Sequence, residues 1–501
     1  MSVEVTEESP PRLWFSCADI IALHFQSTIA FGGSKNQATI NLTLFFADPT
    51  LRTETMGLLL SRDRAITALH HLPNTNSTAT IIKSQVGTWQ DFTPDLWVKH
   101  MTLARDAGID GFVLNTAPNT EPGSACFSGR IKQQIGYAFD ATQQLSGKST
   151  FKLFIAFDYL GGGKPWDASS VKQVLTTYAN HPGYFRYNNK AYVSTFEGTA
   201  NINDWPGIKS AITGGVFFVP DWTSLGPAGV ASHLDVIDGA FSWDMWPNGA
   251  QDMTTDSDTA WKKALGKKHY MMGISPWFYT KMPAYNKAWV WRGDDMWHSR
   301  WDQISQVQPD LVQIVTWNDY GESHYIGPIF EPGVPQGAGT DAEAYVEDMP
   351  HDSWRNLLPY YIARYKKGAE PAVPTDKLQY WYRLTPSSVG NADGVTGNNG
   401  QYQTVVNPNT VVQDKVFVTA LVSAPANVTV QIGNNTKTTF KAPKAGANHF
   451  SVPFNGQTGD VEIKIVCNGE TLVEGTGEPI THTPGENGAT NYNAWVGGAT
   501  A

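Results

Sequence analysis

From about residue 79 onward the chain repeats one pattern: a short apolar run, a polar or aromatic residue, and then a segment with helical spacing. This alternation predicts βα units arranged around a parallel sheet. The seven predicted strands cover residues 111–115, 151–158, 191–197, 216–221, 236–244, 270–275 and 311–317. Seven such strands over this length fit a (β/α)8 TIM-type barrel better than an open sheet, so the predicted fold class is α/β.

The predicted strands share a second property, because each ends at or near a residue that can carry chemistry. In TIM-type barrels the carboxyl ends of the strands form the face that holds the active site. A single Asp or Asn in such a place is commonly a turn residue, but repetition along the whole sheet favours a functional face. The residues are Asn115, Asp158, Glu197, Asp221, Asp244, Trp277 and the pair Asp319 and Glu322.

Domain boundaries follow from changes in this pattern. Residues 1–78 show no clear period and are predicted to be an atypical, irregular N-terminal extension. Residues 79–368 form the predicted barrel, and the Pro-containing stretch 368–374 is typical of a linker. Short alternating runs separated by Gly and Asn turns then predict an antiparallel β-sandwich over residues 376–501. We expect this accessory domain to give structural support, with binding of the chain's ligand as the alternative.

Composition and charge exclude several classes of function. The net charge of −10 argues against binding to nucleic acid and against a polybasic membrane contact. The three cysteines are too few and too scattered for a disulfide framework or a zinc site, although an isolated pair stays open. No motif has metal-ligand spacing and no glycine-rich phosphate loop follows a strand, so we expect neither a metal nor a cofactor. The N-terminus is acidic and lacks the basic and apolar segments of an export signal.

The pair Asp319 and Glu322 is the strongest candidate for catalysis. The two carboxylates are three residues apart, directly after the last predicted strand, and Trp317, Tyr320 and Tyr325 flank them. Cleavage of a glycosidic bond needs two carboxyl groups, of which one protonates the leaving oxygen and the other activates water or attacks the sugar. Carboxyl groups ~6.5–9.5 Å apart give inversion and ~5–5.5 Å give retention. A turn Asp and a solvated Glu would be the simpler interpretation, but the aromatic neighbours favour an active site.

Several other residues near the strand ends are candidates for binding sugar. Arg292 either donates to hydroxyls or forms a structural ion pair with Asp294. Asp221 and Asp244 either bind hydroxyls or raise the pKa of the catalytic pair by like-charge proximity. We expect His324 to be a hydrogen-bond partner of the pair. The predicted substrate-binding residues are Asp158, Asp221, Asp244, Trp246, Trp277, Tyr279, Arg292, Trp317, Asn318, Tyr320 and His324.

Four stretches carry a resemblance to a known family. They are YMMGISPWFYT at 270–280, WRGDD at 291–295, WNDYGESHYIGP at 317–328 and DAGIDGFVLN at 106–115. These motifs resemble the fungal α-1,3-glucanases, or mutanases, of glycoside hydrolase family 71, and the likeness covers roughly residues 86–366. The resemblance implies endo-hydrolysis of α-1,3-glucan with inversion, no metal, and an extracellular or cell-wall location; we expect a monomer. Its catalytic pair maps onto Asp319 and Glu322, with Glu322 as the expected acid and Asp319 as the expected base; the reverse order stays open.

The first barrel strand departs from the family pattern. The family has an apolar strand that supplies a histidine, whereas residues 79–87 read ATIIKSQVG. If Lys83 or Gln85 faced the core, a buried polar group would cost ~1–3 kcal/mol. A mis-joined gene model or a divergent paralogue would explain this departure. It motivates an alternative hypothesis, a non-catalytic glucan-binding cell-wall protein, and the strand-end acids motivate a third, a metal-assisted hydrolase.

Overall fold

The computed structural model describes residue 89 and residues 91–145, 151–399, 405–485 and 488–501 in full. It also gives the backbone of four strands, which are β1 (Ser27–Gly32), β2 (Gln37–Leu42), β3 (Thr67–Ala68) and β4 (Ile81–Val86). The chain divides into two compact units, Met1–Arg62 and Asp63–Ala501. In the first unit β1 and β2 pair as antiparallel strands.

The second unit begins with an α/β region built on parallel strands. Its strands after β4 are β5 (Gly111–Thr116), β6 (Lys152–Asp158), β7 (Arg186–Tyr187), β8 (Lys190–Phe196), β9 (Val216–Phe218), β10 (Gly239–Phe241), β11 (His269–Ile274), β12 (Tyr279–Met282), β13 (Lys287–Val290) and β14 (Leu311–Ile314). All except the separate antiparallel pair β12–β13 belong to one sheet, together with β3.

Parallel pairing connects the main strands of this sheet in both directions from β4. On one side the order is β4, β5, β6, β8 and β9, and on the other side it is β4, β14, β11 and β10. Beyond β9, an isolated parallel bridge joins Asp221 to Phe241, and the backbone N–H of Phe241 donates to the carbonyl of Pro220 at 2.9 Å. The prediction of an α/β fold with parallel strands is therefore confirmed.

Helices alternate with these strands as the sequence pattern predicts. They are α1 (Pro94–Asp106), α2 (Gly129–Gln144), α3 (Ala168–Tyr178), α4 (Trp205–Ala211), α5 (Gly226–Val230), α6 (Asp256–Leu265), α7 (Met296–Val307), α8 (Glu343–Val346) and α9 (Leu358–Lys367). The side chain of Thr93 caps α1 by accepting from the backbone N–H of Leu96 at 3.3 Å. Trp97, Met101 and Ala104 form the buried face of α1, at the spacing of an amphipathic helix.

Three strands are shorter than the sequence predicts. The predicted strand 216–221 ends at Phe218, before Pro220, which has no N–H to donate to a neighbouring strand. The predicted strand 236–244 is regular only at Gly239–Phe241, and 311–317 only at Leu311–Ile314. The residues beyond these ends form the loops that carry the acidic and aromatic side chains.

The strand whose sequence departs from the family occupies a regular backbone position. β4 lies between β14 and β5 and pairs in parallel with both, for example Leu311 with Ile81 and Ser84 with Phe112. The side chains of Lys83 and Gln85 lie outside the described residues, as does most of the predicted extension 1–78.

The C-terminal region is all β. Its strands are β15 (Lys377–Tyr382), β16 (Lys415–Val422), β17 (Ala426–Ile432), β18 (Thr438–Ala442), β19 (Gly446–Pro453), β20 (Gly459–Cys467), β21 (Glu470–Ile480) and β22 (Trp495–Thr500). They form two four-stranded antiparallel sheets, in the orders β19-β16-β15-β22 and β18-β17-β20-β21. Apolar residues of both sheets, among them Val418 and Ile463, share one buried cluster. Burial alternates along β17, as expected for a strand with one covered face.

No helix in the described ranges is long and apolar enough to cross a membrane. Cys126 and Cys467 are free thiols, and Cys17 lies outside the described residues.

Candidate active site

Asp319 and Glu322 occupy one helical turn that follows β14. The turn is a 3-10 helix, Tyr320–Glu322, and Asp319 caps it by accepting a hydrogen bond from the backbone N–H of Glu322 at 3.2 Å. The backbone N–H of Asp319 donates to Oγ1 of Thr316 at 2.9 Å. One carboxylate oxygen of Asp319, one of Glu322 and one ring nitrogen of His324 lie within 4.8 Å of one another. The i, i+3 spacing thus places both acids at one point in space.

Glu322 is buried and both of its oxygens have partners. Oε1 forms an ion pair with the ammonium of Lys287, and Oε2 lies 3.0 Å from Nε2 of His324. Burial alone would raise the pKa of Glu322, but the charge of Lys287 and the hydrogen bond with His324 outweigh it and lower that pKa well below its usual range. In this structure Glu322 is therefore a stabilised carboxylate.

His324 links the pair to the aromatic residues around it. Its Nδ1 lies 3.0 Å from Oγ1 of Thr316, so both ring nitrogens are engaged. The imidazole is fully buried and stacks on Trp246, with ring centroids 5.5 Å apart, and it contacts Phe278 at 5.7 Å. A histidine held on all sides in this way orients Glu322.

The antiparallel pair β12–β13 reaches the turn of Asp319 and Glu322 and places Lys287 against Glu322. The fit is close at Gly321, where an added Cβ would lie 2.8 Å from Cε of Met282 on β12. A larger residue in place of Gly321 would push this hairpin away from the turn. On the other side of the turn, the hydroxyl of Tyr345 donates to the carbonyl of Gly321 at 2.9 Å.

A group of aromatic rings extends outward from His324. Trp246 stacks on Trp291 at 5.1 Å, and Phe278 stacks on Trp289 at 5.7 Å. Trp289 is half-buried, and the indole Nε1 atoms of Trp289 and Trp291 have no hydrogen-bond partner among the described residues. These two Nε1 atoms are buried, so what the group offers to a sugar is the flat apolar face of the half-buried Trp289.

The cluster of Asp319, Glu322 and His324 has the donor types of a metal site, but its surroundings argue against one. The ammonium of Lys287 already contacts Oε1 of Glu322 and supplies a positive charge there. A divalent cation at the same carboxylate would be repelled by that ammonium at short range. The chemistry that this donor set fits is that of a carboxylate pair.

Two of the predicted strand-end acids are used by their own loops. Asp158 is fully buried, and its Oδ1 accepts a hydrogen bond from the backbone N–H of Gly161 at 2.6 Å. Oδ2 of Asp244 accepts from Oγ of Ser257 and from Nε1 of Trp261, both at 2.9 Å. These contacts describe residues that shape loops, and they do not favour the predicted role in binding sugar.

Asp221 lies in a third environment. Its Oδ1 accepts from the hydroxyl of Thr223 at 2.6 Å, while its Oδ2 is buried without a hydrogen-bond partner among the described residues. Burial, helped by the nearby charge of Glu197, raises the pKa of Asp221 well above its usual range. The Thr223 hydroxyl accepts in turn from the backbone N–H of Trp243 at 2.7 Å. Asp221 thus fixes the loop that carries Trp243.

Three aromatic residues that the sequence predicts to stack on sugar are fully or almost fully buried. Nε1 of Trp277 donates to the carbonyl of Tyr492 at 2.9 Å, and Tyr279 packs among neighbouring tyrosines. Nε1 of Trp317 donates to Nδ1 of His100 at 2.8 Å. These rings hold distant parts of the chain together, so their burial does not favour contact with a ligand.

The remaining predicted residues are also held by the protein. Asn318 and Tyr320 are fully buried, and the hydroxyl of Tyr320 donates to the carbonyl of Pro328 at 2.8 Å. Of the two alternatives for Arg292, the ion pair is formed, with Nε 3.0 Å from Oδ2 of Asp294. Burial raises the pKa of Asp294 to about 7, although neighbouring arginines oppose the shift.

The predicted site residues do not include Lys287, which contacts Glu322, or Trp289, which stacks on Phe278. A signal for them exists. Asn286 adopts a left-handed conformation with φ of 54°, and it lies in the turn between β12 and β13. An Asn between two short runs rich in aromatic residues is a hairpin signal.

Known proteins that are similar to this chain identify its family. The glucan endo-1,3-alpha-glucosidase agn1 of Schizosaccharomyces pombe is 33% identical over 459 residues, 88% of this chain and 99% of that protein. A mutanase of Penicillium rubens is 34% identical over 432 residues, 82% of this chain and 86% of that protein. Among solved structures, the GH99 endo-alpha-mannosidase from Bacteroides thetaiotaomicron covers 55% of this chain and 80% of its own, at 13% identity and a TM-score of 0.37. The sequence profile described as Glycosyl hydrolase family 71 matches residues 77–501. The chain therefore belongs to glycosyl hydrolase family 71 and is a glycoside hydrolase.

Proposed function

We propose that this chain hydrolyses α-1,3-glucosidic linkages within the chains of cell-wall glucan. The observation that carries the proposal is the pair Asp319 and Glu322, whose oxygens lie within 4.8 Å on one turn after a parallel strand. The names of the two relatives, an endo-1,3-alpha-glucosidase and a mutanase, supply the substrate and the endo mode. Aromatic rings next to the pair supply surfaces for sugar.

In the proposed reaction one carboxyl group protonates the glycosidic oxygen while the other removes a proton from the attacking water. Water then forms the new bond to the anomeric carbon as the old carbon–oxygen bond breaks. The burial of Glu322 excludes bulk water from this point and strengthens every electrostatic interaction there. No other reactant is needed, so we expect chelators to leave activity unchanged.

Inversion of configuration is part of the proposal and comes from the family resemblance. The bound of 4.8 Å applies to one carboxylate oxygen of Asp319 and one of Glu322. It therefore fits a retaining separation directly, and an inverting separation of ~6.5 Å or more only when the two carboxyl groups point apart. The configuration of the first product distinguishes these alternatives, and we expect the β-anomer.

We propose that sugar rings contact Trp289, the half-buried ring of the aromatic group next to His324. Trp289 packs against the buried ring of Trp291, on which the buried ring of Trp246 stacks. Arg292 is a further candidate, because 12% of its side chain is exposed beside its ion pair with Asp294. Direct contact of sugar with Trp277 or Trp317 would require these buried rings to be uncovered, so we do not include them.

We also propose that the main parallel strands close into a (β/α)8 barrel. The bridge between Asp221 and Phe241 supports closure, because it connects the two ends of the pairing order. The shared apolar cluster of the two C-terminal sheets supports a β-sandwich over residues 376–501. We propose residues 1–78 as the N-terminal extension and residues 79–368 as the barrel. Residues 77–501, which match the family profile, begin near the start of the second of these ranges.

Extracellular or cell-wall location and a monomeric state complete the proposal. The location follows from the substrate, since the relatives that share this family act on α-1,3-glucan by name. The non-catalytic alternative is not favoured, because β4 pairs regularly with both neighbours and the catalytic turn is intact.

The test is incubation of the purified chain with insoluble α-1,3-glucan, with α-1,4-glucan and β-1,3-glucan as controls. We expect soluble oligosaccharides of several lengths early in the reaction from α-1,3-glucan alone. Binding to the glucan without release of reducing sugar would refute the proposal and support the non-catalytic alternative.

A further inference from the structure

Lys287 lies on β13, outside the set of strand-end residues, and its ammonium contacts Oε1 of Glu322. The contact is shielded from solvent, since 19% of the Lys287 side chain and 11% of the Glu322 side chain are exposed. Partly buried ion pairs are screened much less by salt than surface pairs. Loss of the lysine would leave a buried carboxylate without its charged partner. Lys287 therefore controls the charge of Glu322.

The second oxygen of Glu322 is also engaged, because His324 lies 3.0 Å from Oε2. A general acid must carry a proton on one oxygen and direct it at the leaving group. A carboxyl group with a partner for its negative charge on each oxygen is instead held in the ionised form. This arrangement suits a base that accepts a proton from water.

We propose that Lys287 is a positioning residue that keeps Glu322 ionised, so that Glu322 acts as the base and Asp319 as the acid. The inference rests on the proposed function, because it assigns the roles within the same pair. It reverses the order expected from the sequence.

In the resulting reaction, the carboxylic acid of Asp319 gives its proton to the glycosidic oxygen as the bond from that oxygen to the anomeric carbon breaks. The oxygen of one water molecule bonds to the anomeric carbon, and Glu322 takes a proton from this water. Asp319 ends ionised and Glu322 ends protonated. Transfer of one proton from Glu322 to solvent, and of one from solvent to Asp319, restores the starting state.

The charged and titratable groups around Glu322 come from three elements. Lys287 approaches from β13, His324 and Asp319 belong to the catalytic turn, and Tyr345 approaches from α8. Burial raises the pKa of Tyr345, so that this side chain stays neutral. Lys287 is thus the strongest stabilising charge at Glu322.

The experiment compares the pH profiles of kcat/KM for the wild type, K287M, K287R and the matched control K281M. Lys281 lies on the other strand of the same hairpin, and its ammonium contacts Asp393. K281M therefore removes a lysine from the hairpin without touching the catalytic turn.

We expect the acidic limb of the profile to move to higher pH by about 1–3 pH units in K287M, the range of shift that an adjacent opposite charge produces. K287R keeps the cation and should restore most of the wild-type profile, and K281M should match the wild type. If Glu322 were the acid, the alkaline limb would move upward instead. That result, or two limbs that do not move, would overturn the assignment.

A second measurement does not depend on activity. Because the pKa of Glu322 is lowered in the folded state, its ion pair stabilises the protein above the unfolded pKa of about 4.3 and loses this effect as the pH falls. The difference in Tm between wild type and K287M should therefore be largest near neutral pH and shrink below about pH 4. An unchanged difference at all pH values would contradict the coupling of Lys287 to Glu322. If the wild type is inactive, the proposed function is refuted, but the difference in Tm still tests the coupling of Lys287 to Glu322.

Discussion

Two sets of acids lie near the carboxyl ends of the parallel strands, and their surroundings differ. In the turn after β14, Glu322 is paired with a lysine and a histidine, and Asp319 lies beside it. At the ends of the strands, Asp158 and Asp244 accept hydrogen bonds from the backbone or the neutral side chains of neighbouring segments. The first set brings a carboxylate and charge partners to one point, whereas the second set shapes loops.

This difference shows that position at a strand end does not by itself give an acid a chemical role. The groups that contact its carboxylate oxygens decide whether it has one. Asp158 and Asp244 each have one carboxylate oxygen bound by neutral donors of the protein, and these hydrogen bonds hold the surrounding loops in place. A carboxylate held by a cation and an imidazole keeps a defined charge that the reaction can use.

The largest expected effect is the loss of catalysis when either acid of the turn becomes an amide. D319N and E322Q should each lower kcat by about 10²–10⁴-fold, because general acid or base catalysis by one group contributes that much. The measurement is release of reducing sugar from α-1,3-glucan. D244N is the control from the other set and should stay within a few-fold of the wild type. Near-normal turnover in both D319N and E322Q would contradict the distinction between the two sets of acids.

An intermediate effect is expected from D244A. This variant should lower the stability of the protein and change its activity much less. Oδ2 of Asp244 accepts hydrogen bonds from Ser257 and Trp261, and both donors would lose their partner. Each unsatisfied buried donor costs about 1–3 kcal/mol, so we expect thermal unfolding to shift clearly downward. If D244A unfolds like the wild type but has lost its activity, Asp244 belongs to the catalytic set.

The smallest effect is expected from D221N. Burial holds Asp221 toward its neutral form, and an amide has nearly the same shape as a protonated carboxyl group. Its remaining oxygen can still accept from the hydroxyl of Thr223, so the change in the free energy of unfolding should be about 1 kcal/mol or less. Urea unfolding monitored by tryptophan fluorescence gives this value. A fall in activity as large as that of E322Q would place Asp221 in the reaction.

Much of the fold and the proximity of Asp319 and Glu322 could be predicted because the signals are local. Apolar runs separated by helical segments locate the parallel strands, and the spacing of Asp319 and Glu322 brings both acids to one side of a helical turn. Thr93 caps α1 as its position before an amphipathic segment predicts. Each of these features depends on residues within a few positions of one another.

The features that could not be predicted depend on contacts between distant parts of the chain. Trp277 and Trp317 are both buried. The indole of Trp277 donates a hydrogen bond to Tyr492, 215 residues away, and that of Trp317 donates one to His100, 217 residues away. Nothing in the sequence near a tryptophan distinguishes such a ring from one that faces a ligand. Lys287 was missed for the same reason, because its partner is 35 residues away on another element.

The most direct test of the central claim is a crystal structure of E322Q with an α-1,3-linked gluco-oligosaccharide bound. We predict that a glycosidic oxygen lies within hydrogen-bond reach of the Asp319 carboxyl group, with residue 322 facing the anomeric carbon of the same linkage. An oligosaccharide bound across the loops of Asp158 and Asp221, with no linkage near Asp319, would contradict the account.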